Sequence, residues 1–211
     1  MFMLATNAPG THPNDYISCM KGLKSSFVAL ISLALSIVAM PCAQAAQLAG
    51  VSMPNAESVG AQTLTLNGIG LRTYSFIHVH IYVAALYLPH PMDKASSILN
   101  SPAPKILQLH FVRSVGVSQV RNAWKKGLMA NCVAPCTLSN AELDQFLATL
   151  KPVSAGETVK FVFTGRGFSA YENGQVEGHV DNPKLARLVL AVFIGPHVSA
   201  PTLKSELLGG H

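Results

Sequence analysis

The sequence predicts an α+β domain in which antiparallel strands are interleaved with pairs of helices. Three observations point there. The segment Tyr74 to Leu88 contains no Lys, Arg, Asp or Glu and reads as a long strand covered on both faces. Asn173-Gly174, set between two short alternating runs, is the strongest hairpin signal in the chain. The order of elements is hairpin, strand, two helices, three-strand meander, two helices, which is expected of α+β folds and not of wound parallel sheets.

Taken in order, Thr63 to Asn67 alternates and reads as a short strand. Asn67-Gly68 and Gly70 then mark a turn. In the long strand, Ile77, Val79, Ile81, Val83 and Ala85 share one face. Phe76, His78, His80, Tyr82 and Ala84 share the other. Asp93 to Leu99 reads as a short helix. Lys105 to Val112 is a strand with Leu107, Leu109 and Phe111 on one side and Ile106, Gln108, His110 and Val112 on the other. Ser118 is positioned to cap a helix running to Asn131, with Val120, Ala123, Trp124, Gly127 and Leu128 on its apolar face. Asn140 is placed to cap a second helix over 141–150. Glu157 to Thr164, Gly167 to Tyr171 and Gln175 to Val180 make the meander. Asn182-Pro183 opens a helix with a cap and a first-position proline, and Gly195 stops it. Pro201 to Leu208 is a terminal helix.

The N-terminal portion reads as targeting sequence. Met20-Lys-Gly-Leu-Lys24 is a positive n-region, Phe27 to Met40 an apolar h-region, and Ala43-Gln44-Ala45 a small-residue cleavage site. The apolar run falls short of the roughly 20 residues that span a bilayer, so residues 20–45 are expected to be a cleaved signal peptide. Residues 1–19 are expected to be an upstream extension, and 46–211 a single exported, periplasmic domain without a membrane anchor. Removing Lys21, Lys24 and Asp15 with the leader leaves 13 basic against 9 acidic residues, a net charge of +4. The bases are scattered, with only Lys125 and Lys126 adjacent, and no basic stripe suggests nucleic acid.

Two cysteines remain after cleavage, Cys132 and Cys136. In an oxidising compartment a disulfide is the first reading. Two free thiols and a redox pair are the alternatives, although redox pairs usually have two intervening residues at a helix N-terminus.

Arg72 is the foremost site candidate. It leads into a strand without an acid, where a guanidinium fork could hold a carboxylate or an enolate-like oxygen. Pairing with a surface acid or turn carbonyls is the competing reading. His78 and His80 have metal-ligand spacing on a strand, and His110 could be a third ligand; packing histidines are the simpler reading. Trp124 and Asn131 share a helix face and read either as core and cap or as cleft residues. Ser169, Ser199 and Ser205 lack a nucleophile-elbow context. The glycines at 68 and 70 precede a strand, so they make no phosphate loop. No cofactor signal is found.

Four segments in order resemble the chalcone isomerase-like family, in its bacterial exported branch. They are Leu66-Asn-Gly-Ile-Gly-Leu-Arg72 with Tyr82-Val-Ala-Ala-Leu-Tyr-Leu88, Leu109-His-Phe-Val-Arg113, Ala123-Trp-Lys-Lys-Gly-Leu-Met-Ala-Asn131, and Phe193-Ile-Gly195 with Val198-Ser-Ala-Pro-Thr-Leu-Lys204. The resemblance implies an open-faced β-sandwich, a large antiparallel sheet packed by a layer of helices with a ligand cleft between them. In the plant enzymes of that family, which cyclise chalcones, the catalytic arginine is matched by Arg72 across a small gap, and an asparagine by Asn131. Tyr82, Trp124 and Val192 stand where those enzymes carry a threonine, a tyrosine and a further hydroxyl residue. This departure removes the polar network that orients substrate. Fatty-acid-binding members use the equivalent arginine to hold a carboxylate. The expected ligand is therefore a small amphipathic carboxylate such as a fatty acid, or a phenolic, with Arg72, Tyr82, Trp124 and Asn131 lining the cleft. An isomerase acting on an enone is the alternative.

Overall fold

The computed structural model describes residues 45–74, 77–136 and 138–210. The expected upstream extension and residues 20–44 of the expected signal peptide lie outside the described residues, as does Phe76.

The fold is an α+β open-faced sandwich. Its sheet has seven strands in the spatial order of the sequence, all antiparallel: β3 (Ala56–Val59), β4 (Gln62–Tyr74), β5 (Val79–Leu88), β6 (Lys105–Phe111), β7 (Thr158–Phe163), β8 (Phe168–Glu172) and β9 (Gln175–Val180). A separate hairpin, β1 (Ala45–Leu48) with β2 (Val51–Pro54), precedes them. The helices are α1 (Ala95–Asn100) between β5 and β6, α2 (Val117–Asn131) and α3 (Asn140–Thr149) between β6 and β7, then α4 (Pro183–Ile194) and α5 (Pro201–Leu207). Among the described residues, no helix is long and apolar enough to cross a membrane.

Strand alternation divides the core in two. Ala84, Leu86 and Leu88 of β5, with Leu107, Leu109 and Phe111 of β6, pack against the helix layer. Val83, Ala85 and Tyr87, with Ile106, pack on the opposite face with Val51 and Met53 of β2. A central strand buried on both faces must be apolar on both, which is why β5 carries no charge.

The first hairpin differs from the sequence expectation. Asn67, Gly68 and Gly70 are not a turn but the interior of β4. A Cβ on Gly68 would lie 2.6 Å from the Leu207 carbonyl oxygen, and one on Gly70 would lie 2.8 Å from Leu203 Cδ1. These glycines let α5 lie directly on the strand. Asn67 ties the same region together: its Nδ2 donates to the carbonyls of Leu207 (2.8 Å) and Met92 (3.0 Å), and its Oδ1 accepts from the Met92 N–H (2.7 Å). The chain reverses after Tyr74 instead. There Ile77 is exposed and His78 takes φ 51°.

Elsewhere the local signals hold to within a residue or two. Asn173 (φ 50°) and Gly174 (φ 83°) make the β8–β9 turn, with both central residues left-handed as such a turn requires. The Asn182 Oδ1 accepts from the N–H groups of Lys184 (3.1 Å) and Leu185 (3.0 Å), capping α4. Two caps move by a position or more. Ser139, not Asn140, caps α3: its Oγ accepts from the Glu142 N–H (3.2 Å), while Glu142 Oε2 accepts from the Ser139 N–H (2.8 Å). Helix α2 starts at Val117 after Gly116, whose N–H donates to Gln119 Oε1 (3.1 Å), so Ser118 lies inside it. The strands β1, β2 and β3 had no counterpart in the sequence reading.

Candidate functional site

Arg72 stands directly opposite Tyr82 in the β4–β5 ladder, and Tyr82 directly opposite Phe111 in the β5–β6 ladder. Opposed residues in an antiparallel pair project to the same face. The three therefore form one row, on the face that the helices cover. The β4–β5 register slips between Arg72 and Thr73, a local irregularity of the kind that re-aims a side chain at the end of a pairing. The rings of Tyr82 and Phe111 pack with centroids 5.2 Å apart.

Arg72 is partly buried, and its Nη1 donates to the Ser199 carbonyl at 3.1 Å. Among the described residues it forms no ion pair with an acid. A guanidinium has five N–H donors, so most of its hydrogen-bonding capacity is not used by that one carbonyl. Tyr82 keeps part of its surface in solvent, but its hydroxyl is desolvated: burial pushes the phenol up to about 12, and the Arg72 charge pulls it the other way. The phenol is thus protonated at any physiological pH and can donate. A fixed cation beside an O–H donor is a suitable pair for the two oxygens of a carboxylate.

Asn131 serves this row indirectly. It is buried, 7% exposed. Its Nδ2 donates to the carbonyls of Gly127 (2.9 Å) and His197 (3.2 Å), and its Oδ1 accepts from the His197 N–H (3.2 Å). The Lys204 ammonium donates to the Gly195 carbonyl at 2.8 Å. Between them these bonds hold the segment 195–199, which presents the Ser199 carbonyl to Arg72. Trp124 lies in an aromatic cluster. Its ring meets Phe146, Phe161 and Phe193 edge-on, at centroid distances of 5.4, 5.6 and 5.7 Å. The structure brings Arg72 and Tyr82 together. It commits the polar atoms of Asn131 to backbone and packs the half-buried ring of Trp124 against the core.

The expected cleft between sheet and helices is filled. Leu86, Leu107, Leu128, Val189 and Ile194 are fully buried there. Two cavities lie elsewhere. One, of about 260 Å³, sits between α1, β7 and α4; the other, of about 490 Å³, sits among β1, β4 and α5. Neither is lined by Arg72, Tyr82, Trp124 or Asn131.

The histidines do not converge. His78 is in the turn, and His80 lies on the strand with Tyr82's parity. His110 opposes Val83 on the other face, where its Nδ1 is 3.0 Å from Thr158 Oγ1. Cys132 and Cys136 form a disulfide with Cα atoms 5.1 Å apart, closing the end of α2. One arrangement escaped the sequence reading. Ser169 Oγ is 3.0 Å from His179 Nδ1, whose Nε2 is 3.0 Å from Asp181 Oδ1. His179 and Asp181 are exposed, and none of the three lines either cavity, so neither cavity would hold an acyl group against the hydroxyl. The pattern is that of a surface hydrogen-bond chain.

Comparison with known proteins covers nearly all of the described chain. A family model described as chalcone isomerase-like matches residues 45–209. Among 37 matching chains of solved structures is the crystal structure of a fatty-acid binding protein from Arabidopsis thaliana. It is 18% identical with a TM-score of 0.63, and the match covers 78% of this chain and 96% of that one. At this identity the likeness establishes the fold. Among curated proteins there is no match.

Proposed function

The chain belongs to the chalcone isomerase-like family, and on that premise we propose that it is a non-catalytic binding protein for a small amphipathic carboxylate such as a fatty acid, anchored at Arg72. The observation that carries this reading is the direct opposition of Arg72 and Tyr82 on the helix-covered face. The guanidinium binds the head group and the phenol donates a second hydrogen bond. The acyl chain runs between sheet and helices, where each buried methylene contributes about 0.8 kcal/mol. Because that space is filled, binding requires the helix layer to part from the sheet. The family's isomerase chemistry is the less favoured reading. The Asn131 amide is already bonded to Gly127 and His197, which withdraws it from orienting a reacting enone beside Arg72.

Export completes the proposal. Residues 20–45 act as a cleaved signal peptide after a short upstream extension, and residues 46–211 function in the periplasm as a member of the family's exported branch. The Cys132–Cys136 disulfide accords with an oxidising compartment. Protein recovered from the periplasm should begin at Ala46 by intact mass. An unprocessed cytoplasmic species would refute export.

Arg72→Ala tests the anchor. Among the described residues Arg72 makes one hydrogen bond, to the Ser199 carbonyl, so its loss should cost about 1 kcal/mol or less of stability. Native mass spectrometry of wild-type protein should show a bound acidic lipid, or uptake of added dodecanoate, that the variant lacks. Equal retention by both proteins would overturn the anchor. A wild type that neither carries nor takes up a carboxylate would overturn the binding function itself.

A further inference from the structure

We infer that the chain carries a second anion site, a small pocket built on Lys105 and Arg187 that takes the carboxylate of a short-chain acid. It lies on the same helix-covered face as Arg72 but at the far end of β6. Lys105 opens that strand opposite Phe163, and Phe111 closes it opposite Tyr82. Six residue steps of strand separate the two rows, roughly 20 Å at about 3.4 Å each.

The pocket has a volume of about 260 Å³. Its apolar wall includes Leu99, Phe163, Ala186 and Leu190, all buried. Its two charged lining residues are Lys105 and Arg187, and no Asp or Glu lines it. Lys105 is only 5% exposed. Its Nζ donates to the carbonyls of Ser101 (2.6 Å) and Ala103 (2.9 Å), which fixes the ammonium and leaves the third of its N–H donors without an acceptor among the described residues. Arg187 is held at Nε by Asn100 Oδ1 (3.2 Å). A buried cation without a counter-ion is costly, and a bound carboxylate removes that cost. The apolar wall selects an acid with a short hydrocarbon tail over inorganic anions.

Burial holds the Lys105 ammonium down at about 8. Among the described residues, Arg187 is the only other titratable side chain that α1, β7 and α4 present to the cavity. Carboxylate binding should therefore be strongest where the acid is ionised and the pH is still below 8, and weaken as pH rises through that value.

Hexanoate is the probe, followed by amide NMR of the purified protein. It should perturb the Phe163, Ala186 and Leu190 amides with a Kd on the order of 1 mM, as expected for a ligand of this size. Arg187 is exposed, so Arg187→Gln should fold normally and weaken binding about tenfold, the loss of one charge-assisted hydrogen bond. Lys105→Met supplies a second variant with the same expected direction. Arg72→Ala should leave these perturbations in place. Absence of shifts at these amides, equal titration by hexanamide, indifference to Arg187→Gln, or loss in Arg72→Ala would each overturn the second site.

Discussion

Trp124→Ala should lower the stability of the folded chain by about 3 kcal/mol, the low end of the range for removing a large aromatic from a core, because the ring is half-buried where it packs against the core. The ring is the hub of its cluster, with Phe146, Phe161 and Phe193 each presenting an edge-on contact within 5.7 Å. Such pairs contribute about 0.5–1.5 kcal/mol each beyond the area they bury. Those three partners come from α3, β7 and α4, so the indole of α2 joins three other elements at one point. Phe161 and Phe146 also contact Phe168 of β8, which carries the disturbance to the next strand. Urea unfolding followed by circular dichroism measures the change, because the variant loses the chain's single tryptophan as a fluorescent probe. At about 2–4 °C per kcal/mol for a domain of this size, the melting temperature should fall by roughly 10 °C. A loss below about 1 kcal/mol, in the range of a surface substitution, would overturn the hub role and return the indole to the candidate cleft.

The same residue shows what the sequence could and could not tell. The 3.6-residue period placed Trp124 and Asn131 on one helix face correctly, but a shared face does not say whether it meets a ligand or a neighbouring helix. That depends on Phe146, Phe161 and Phe193, which arrive from distant parts of the chain. Signals confined to a few residues were legible. The Asn173-Gly174 turn and the Asn182-Pro183 cap depend on backbone chemistry within one turn, and both appear where the sequence placed them. The alternation of β6 was equally legible, and it held an unused clue. Lys105 has the parity of Leu107, Leu109 and Phe111, so a lysine was bound for the buried face. The Arg72–Tyr82 pair was legible as two residues but not as a pair. With the turn placed at Gly68 and Gly70, Arg72 seemed to precede the long strand when in fact it lies across from it. The true reversal carries no Gly, Pro or Asn between Tyr74 and Val79, so no local signal marks it.

Gly68→Ala should be as damaging as a core truncation, for the opposite reason. A methyl group at this position would meet the carbonyl oxygen of Glu206 and lie 2.6–2.7 Å from the Leu207 carbonyl group. These are backbone atoms of α5, which no rotamer change can move aside. Overpacking typically costs about 1–3 kcal/mol when side chains can adjust, so a clash with backbone belongs at or above the top of that range. The damage should be local in origin. Helix α5 is held to β4 by the Asn67 Nδ2 bond to the Leu207 carbonyl (2.8 Å) and by the Leu71 N–H donating to Glu206 Oε2 (3.1 Å), and lifting the helix breaks both. Amide exchange should therefore accelerate in β4 and α5 before it does in β7 and β8. The segment leading into α5 supplies the Ser199 carbonyl that Arg72 holds, so carboxylate retention should fall even though no residue of the Arg72–Tyr82 pair has changed. Gly178→Ala is the matched control, since a Cβ there meets nothing within 4 Å and the change should stay within about 0.5 kcal/mol. A Gly68→Ala protein as stable as this control would mean that α5 does not rest on β4. In that case Arg72 would lose the scaffold that aims it, because the same seating of α5 fixes both the helix and the carbonyl that the guanidinium grips.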